Sequence, residues 1–266
     1  MKKPAWTGIK SAVALVVMLQ LLACGSIKPS PVEMAPEEFV SATPWAAAAL
    51  SSESAAVSAP VPVWKHHSLP GKRPNQFRYV RKDGRDAMAA TSRSSASMLR
   101  KVIRIEPGEL DAVRFSWKVP ELIAQADMAL READDSPVRV VLMFEGDRST
   151  FSAKNAMLSE MARALTGEEL PYATLMYVWC NTRPAGSVML NARTDRIRKL
   201  VVESGTSRLQ QWVDYERNIR ADYEKVFGEA PGALVGIAIM TDSDNTRSTA
   251  QAWYGPVTLG TAGRHK

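Results

Sequence analysis

Three side chains whose oxygen atoms can accept hydrogen bonds or bind a hard cation stand within four residues of one another: Asp242, Asp244 and Asn245. They follow an almost unbroken apolar run, residues 233–240, which is typical of a buried strand. Carboxylates two residues apart repel one another unless a cation or a hydrogen-bond donor lies between them. We therefore predict a strand–loop–strand unit in the middle of one sheet, in which these three residues form a ligand-binding site in the loop at the rim.

The loop also has two simpler interpretations. Calcium prefers oxygen ligands of this kind, but the spacing departs from an EF-hand, because the central glycine is missing and Thr246-Arg247 supplies no further ligand. We assign no metal and no cofactor, and calcium remains an open alternative. Asp and Asn residues in turns also commonly bind their own backbone, with Arg247 as a source of positive charge.

Further candidate ligand-binding residues come from two other segments. Tyr177, Trp179 and Asn181 alternate along a predicted strand and would share one face, and aromatic rings beside an amide are suited to binding sugars. Aromatic residues of a central strand can equally belong to the core. Asp195 and Arg196 are interpreted as a rim ion pair or as a contact for an anion.

A catalytic alternative depends on carboxylates. Glu145 and Asp147 are two residues apart at a predicted strand end, and glycoside hydrolysis requires a pair of carboxyl groups. Asp134 and Asp135 are further candidates. Gly146 indicates a simple turn, and the sequence lacks a phosphate-binding glycine loop, a Cys/His metal cluster and a Gly-x-Ser-x-Gly motif. We therefore assign no catalytic residue and treat a carbohydrate-active enzyme as the alternative to a binding protein.

Short, β-prone segments separated by turns predict an antiparallel β-sandwich with a jelly-roll-like arrangement over residues 76–260, followed by a tail, 261–266. Asp83-Gly84 and Pro107-Gly108 are typical turn sequences. The predicted strands are Phe77–Lys82, Asp86–Ser92, Leu99–Ile105, Val113–Val119, Val138–Phe144, Tyr172–Cys180, Arg196–Glu203 and Leu209–Tyr215, with the apolar segments on either side of the acidic loop as the last two.

Two helices are predicted to cover this sandwich. Asn155–Thr166 and Glu216–Phe227 carry apolar residues at helical spacing, and each is followed by a glycine. The expected inward faces consist of Met157, Leu158, Met161 and Leu165 in the first helix and of Ile219, Tyr223, Val226 and Phe227 in the second. Glu121–Glu132 is a candidate for a third helix.

The N-terminus predicts export and a lipid anchor. Residues 1–24 combine Lys2 and Lys3 with an apolar stretch too short to span a bilayer, as in a signal peptide. The ending Leu21-Leu22-Ala23-Cys24 resembles the lipobox of bacterial lipoproteins, in which the cysteine is lipidated. The resemblance implies attachment through Cys24, and Gly25 favours the outer membrane, facing the periplasm. Residues 25–75, rich in Pro, Ala and Ser, are predicted to be a tether.

The charge of the chain does not indicate nucleic-acid binding. The net charge is +6, but removing the signal peptide with its three lysines lowers it to +3, and the remaining basic residues form no stripe. Apart from Cys24 the sequence has one cysteine, Cys180, which we expect to be buried and unreactive.

Several segments together resemble a family of exported bacterial proteins known only as a domain of unknown function. The resemblance covers about Phe77–Leu259 and implies no catalytic residue. The segments are Arg114-Phe-Ser-Trp-Lys-Val119, Asp134-Asp-Ser-Pro-Val138, Leu165-Thr-Gly167, Leu170-Pro-Tyr-Ala-Thr-Leu-Met-Tyr-Val-Trp179, Arg217-Asn-Ile219 and Met240-Thr-Asp-Ser-Asp-Asn-Thr246. We accordingly expect a lipid-anchored envelope protein whose sandwich binds a glycan or another envelope component; a purely structural lipoprotein is a further alternative.

Overall fold

The computed structural model describes residues 64–261, which form a β-sandwich of two sheets with two α-helices. Cys24, the first part of the predicted tether and the tail from residue 262 lie outside the described residues. Among the described residues, no helix is long and apolar enough to cross a membrane. The strands are β1 (Lys65–Ser68), β2 (Gln76–Lys82), β3 (Arg85–Arg93), β4 (Ala96–Ile105), β5 (Leu110–Lys118), β6 (Ser136–Phe144), β7 (Ala173–Cys180), β8 (Val188–Leu190), β9 (Ile197–Ser204), β10 (Trp212–Asn218), β11 (Leu234–Asp242), β12 (Thr249–Tyr254) and β13 (Thr258–Thr261).

The larger sheet has seven strands in the order β1-β4-β11-β6-β7-β9-β8. The smaller sheet has the order β10-β5-β12-β3-β2, and β13 adds to β5. Every strand pair is antiparallel except β7 with β9. Parallel neighbours need a long connection, and residues 181–196 provide it. The predicted antiparallel sandwich is thus confirmed, with one parallel pair inside it.

The acidic loop connects the two sheets, which the sequence reasoning did not foresee. β11 lies between β4 and β6 in the larger sheet, whereas β12 lies between β5 and β3 in the smaller one. We expected both strands in the same sheet. The loop instead crosses the open end of the sandwich, and both strands that fix its ends are central.

The main core fills the space between the sheets. Along each strand, apolar side chains that point inward alternate with side chains that point outward. The largest wholly buried members of the core are aromatic. Phe115 of β5 stacks on Tyr177 of β7 with ring centroids 5.5 Å apart, so the two sheets are in direct aromatic contact. The other wholly buried aromatic members are Trp117, Phe144, Trp179, Tyr223 and Tyr254.

A second apolar cluster covers part of the outer face of the seven-stranded sheet. It is rich in methionine and includes the free thiol of Cys180, which is buried as predicted. Unbranched thioether side chains fill irregular space well. The methionines are Met98, Met128, Met143, Met176, Met189 and Met240. At Met143 this cluster borders an open groove on the same face of the sheet.

The helices differ in how they pack. α2 (Ile219–Phe227) buries its predicted apolar face in the main core. α1 (Ala153–Thr166) does not: Met157, Met161 and Leu165 are 58%, 48% and 67% exposed. Its buried residues are Asn155 and Ser159, which bond to neighbouring polar groups. Polar contacts therefore orient α1, and the prediction that its apolar face is buried was wrong.

Other local predictions also need correction. Residues 121–132 form turns and the beginning of a short 3-10 helix, Arg131–Ala133, so the third α-helix is absent from this described segment. Glu216 belongs to β10, and α2 begins only after Asn218, whose side chain caps it. β1 lies inside the predicted tether, so the folded part of the chain begins before residue 76.

Candidate functional site

The predicted acidic loop contributes to a buried group of charged residues at the rim of the seven-stranded sheet. We call this group the rim cluster; it consists of Lys72, Asp134, Asp135, Arg139, Lys199, Asp242 and Asp244. The end of β11 supplies Asp242, and the segment leading into the adjacent strand β6 supplies Asp134 and Asp135. Neighbouring strands that end and begin at the same rim bring these carboxylates together.

The carboxyl groups of Asp242 and Asp244 lie against each other, as their spacing suggested. Asp242 is 6% exposed, and burial followed by the proximity of Asp244 raises its pKa well above the usual value. Burial acts in the same direction on Asp244, but the contact with Asp242 and the hydrogen bond from Lys72 outweigh it and lower the pKa of Asp244. Of the two carboxyl groups, that of Asp242 therefore binds a proton more readily.

Two cations balance the acidic groups from within the protein. Arg139 is buried, and its Nη2 lies 3.1 Å from Asp134 Oδ1 and 3.2 Å from Asp242 Oδ2. Lys199 is fully buried, and its Nζ donates to the Met128 carbonyl at 2.8 Å and to Asp134 Oδ2 at 2.6 Å. Burial, and then Arg139, lower the pKa of Lys199 to about 8. These groups form a fixed charge network.

Asp135 fixes the shape of the loop. Its Oδ2 accepts hydrogen bonds from the backbone N–H of Thr246 at 2.7 Å and from the Thr246 hydroxyl at 2.6 Å, and its Oδ1 accepts from the backbone N–H of Asn245. The Asn245 side chain donates to the Arg131 carbonyl at 2.7 Å. Arg247 adopts a positive φ of 55° but is not the partner of Asp244; Lys72 is.

A second candidate site is an open groove of about 750 Å³ on the outer face of the seven-stranded sheet. Its floor includes Val102, Met143 and Val235. Val102 is 64% exposed, and at this point β4 pairs with β11 but no longer with β1, whose pairing with β4 ends at Arg100. A register shift between Leu234 and Gly236 marks a β-bulge in β11 at this point, and a bulge re-aims side chains locally.

Ion pairs form the walls of this groove. Arg100 makes two hydrogen bonds to Glu168, at 2.6 and 2.9 Å, and Arg104 Nη1 lies 2.9 Å from Glu145 Oε1. The bond from Arg100 lowers the pKa of Glu168. The lining residues in the described part of the chain include three arginines and four glutamates, the others being Arg148, Glu106 and Glu169. The groove thus offers many donors and acceptors with nearly balanced charge.

The structure does not bring the predicted aromatic residues to a surface. Tyr177 and Trp179 are wholly buried in the core between the sheets. The Tyr177 hydroxyl donates to Asp222 at 2.9 Å, Trp179 Nε1 donates to the Gly205 carbonyl at 2.9 Å, and Asn181 donates to the carbonyls of Ile123 and Ala126. Their positions agree with the core alternative; a role in ligand binding stays a prediction.

Asp195 and Arg196 lie at the opposite end of the sheet from the acidic loop, next to the start of β7 and β9. They do not pair with each other among the described contacts. Asp195 accepts a hydrogen bond from Asn155 at 2.7 Å, and Arg196 pairs with Glu229 at 2.6 Å and stacks on Tyr172. Both side chains therefore already have structural partners.

The carboxylates proposed for a carbohydrate-active enzyme lie at opposite ends of β6. Glu145 follows its last residue and bonds to Arg104, whereas Asp134 and Asp135 precede its first residue. Asp147 caps a 3-10 turn by accepting a hydrogen bond from the Ser149 backbone. Glu145 and Asp147 thus have separate local partners.

The fold and these sites define a β-sandwich protein with an open outer groove and a buried charged rim. Residues 62–258 match the family described as "Protein of unknown function (DUF3047)", and the chain belongs to this family. No curated protein matches the sequence. Among solved structures, the xyloglucanase domain of NopAA, a type three effector from Sinorhizobium fredii in complex with cellobiose, is similar at 10% identity and a TM-score of 0.40, covering 74% of this chain and 92% of that one. This likeness carries no inference about the ligand.

Most of the residues that the sequence reasoning missed had recognisable signals. Arg100, Val102 and Arg104 alternate along β4 and so share one face of the strand. An exposed valine between two arginines could have indicated the groove. Arg139 had a weaker signal, because a single charged residue in an otherwise apolar strand can also lie at an edge. Lys199 had none, because it follows Arg198 in a strand that also carries Glu203.

Proposed function

We propose that this protein is a lipid-anchored protein of the bacterial cell envelope whose sandwich domain binds a neutral glycan without cleaving it. The observation that carries the proposal is the open groove with its arginine–glutamate pairs. Its volume of about 750 Å³ falls in the usual range of ligand sites and suits a short oligosaccharide segment.

The lining of the groove favours an uncharged, hydroxyl-rich ligand. Arginine side chains donate and glutamate side chains accept hydrogen bonds, so both functions of a sugar hydroxyl find a partner. Three arginines against four glutamates give no excess of positive charge that would select an anion. The exposed side chain of Val102 and the adjacent Val235 offer apolar surface to the face of a pyranose ring.

The state of the carboxylates favours binding over hydrolysis. A glycosidase needs a carboxyl group that keeps its proton beside one that is ionised. Glu168 has a lowered pKa because Arg100 bonds to it, and Glu145 is bonded to Arg104. The carboxyl group with a strongly raised pKa, that of Asp242, is buried at the other end of β11.

Binding of purified protein to a panel of bacterial and plant glycans tests the proposal. We expect one class of neutral glycan to bind, and the substitutions Arg100→Ala and Arg104→Ala to weaken its binding by about tenfold each, because a hydrogen bond to a charged group contributes roughly 1.5–3 kcal/mol. Arg114→Ala is the matched control, since Arg114 forms a similar exposed pair with Glu216 on the smaller sheet. Equal losses in all three variants, or release of cleaved sugar, would contradict the proposal.

The anchor rests on Cys24 and the residues before it, which lie outside the described residues. We expect Cys24→Ala to abolish incorporation of radiolabelled palmitate and to move the protein from the membrane fraction to the soluble fraction or leave an unprocessed precursor. Cys180→Ala is the control, because Cys180 is buried and should not affect fractionation. Normal labelling of the Cys24→Ala variant would refute the anchor.

A further inference from the structure

We propose that the rim cluster is a binding site for one divalent cation, with calcium as the preferred ion and with Asp135, Asp242 and Asp244 as its protein ligands. This site is separate from the glycan groove. Asp242 ends β11, whereas Gly236 of the same strand lines the groove, and six residues of a strand span about 20 Å.

The carboxylate oxygens that would bind the ion already lie close together. One carboxylate oxygen from each of Asp135, Asp242 and Asp244 lies within 4.8 Å of the others. Oxygen ligands at this separation, completed by water, are those that calcium accepts in its flexible coordination shell. Magnesium demands a stricter octahedral geometry and gives up water less readily, so we expect it to bind more weakly.

A second observation points into the cluster. Among residues 64–261, Asp242 Oδ1 is buried and has no hydrogen-bond donor, while Oδ2 of the same group faces Arg139. A buried carboxylate oxygen without a partner is costly, because nothing replaces the water that it loses on folding. A cation coordinated by this oxygen would remove that cost.

A divalent ion in place of Lys72 would balance the charge of the rim cluster. The cluster contains four carboxyl groups, those of Asp134, Asp135, Asp242 and Asp244, and three cationic side chains, those of Lys72, Arg139 and Lys199. One calcium ion carries one more positive charge than the ammonium group of Lys72, which it would displace. Arg139 and Lys199 remain in place to balance Asp134 and one further carboxylate. The bound state therefore leaves no additional buried charge uncompensated.

The ion has a path to the site. The side chains of Asp244 and Lys72 are 16% and 27% exposed, so this edge of the cluster faces solvent. Lys72 follows a turn in which its N–H bonds to the Leu69 carbonyl and Gly71 adopts a φ of 72°. A long, partly exposed lysine side chain on a turn can swing outward without disturbing the sheet.

Isothermal titration calorimetry of the full-length protein with calcium chloride, at pH 7.5 after treatment with EDTA, tests the proposal. We expect saturable binding of one calcium ion, and weaker binding of magnesium. Asp242→Asn should reduce calcium affinity at least about tenfold, since even partners of metal ligands commonly contribute that much. Lys72→Met should increase the affinity, because it removes the competing ammonium group.

Asp214→Asn is the matched control. Asp214 is an exposed carboxylate paired with Arg85 on the smaller sheet, and its substitution should leave calcium binding unchanged. Absence of saturable binding in both the wild type and Lys72→Met would overturn the proposal, and so would an unchanged affinity in Lys72→Met. The latter test holds even if Asp242→Asn fails to fold. Tighter binding of magnesium than of calcium would overturn the choice of ion.

Discussion

The hydroxyl group of Tyr254 ties the two sheets together directly below the rim cluster, and its removal should destabilise the protein. Tyr254 belongs to β12 of the smaller sheet and is wholly buried. Its hydroxyl donates to the Met240 carbonyl at 2.6 Å and lies 3.3 Å from the Arg139 N–H and 3.0 Å from the Thr241 hydroxyl. These partners belong to β6 and β11 of the larger sheet, next to a register shift after Met240.

The substitution Tyr254→Phe keeps the ring and deletes this connection. A buried group that loses its partner costs about 1–3 kcal/mol, and both a donor and an acceptor lose one here, so we expect a loss of about 2–4 kcal/mol. For a domain of this size, such a change lowers Tm by roughly 5–15 °C. Thermal unfolding followed by circular dichroism, with denaturant unfolding in parallel, measures both quantities.

Tyr172→Phe provides the comparison. Within residues 64–261 the Tyr172 hydroxyl makes only long contacts, 3.3 Å to Thr150 and 3.5 Å to Glu229, so its loss should cost less than about 1 kcal/mol. A Tm of Tyr254→Phe within about one degree of the wild type, or a loss equal to that of Tyr172→Phe, would refute the reasoning.

Two further predictions concern the helices and the first strand. Met161→Ala on the exposed face of α1 should change the free energy of unfolding by less than about 0.5 kcal/mol, whereas Ile219→Ala in α2 should cost about 2–5 kcal/mol in denaturant unfolding; equal losses would show that the α1 face is buried. Burial lowers the pKa of His66, and burial together with Arg100 lowers that of His67. A lowered pKa means that the unfolded state takes up protons first, so stability falls as the pH drops below about 6.5. The fall in Tm between pH 7 and pH 5 should therefore be smaller in the double variant His66→Gln/His67→Gln, and an identical fall would contradict this.

The strands could be predicted because their signal is local. β2, β3, β6 and β7 alternate or run continuously apolar between turn residues, and the structure has them within a few residues of the predicted bounds. β1 escaped prediction because Lys65-His-His-Ser68 has no apolar residue; its position is determined by pairing with β4. β8 escaped prediction because it has only three residues, although all three are apolar, and its position is determined by pairing with β9.

Packing between distant parts of the chain could not be predicted from such local sequence patterns. The apolar spacing in α1 correctly predicted a helix, but not its orientation, which depends on the hydrogen bond that Asn155 donates to Asp195 and the one that it accepts from the Thr194 hydroxyl. The proximity of Asp242 and Asp244 followed from their spacing, whereas Lys72 and Arg139 reach them only through the fold. Sequence spacing therefore located the acidic loop, and tertiary contacts determined its partners.

Hydrogen exchange measured by mass spectrometry, with and without the glycan that binds best in the panel, tests the central claim most directly. We predict slower exchange in the groove segments 145–148 and 168–172, which carry Glu145, Arg148 and Glu168, when the glycan is bound. Exchange in segments 83–86 and 255–257, next to the depression on the smaller sheet, should not change. Protection confined to the latter segments would contradict the assignment of the groove as the binding site.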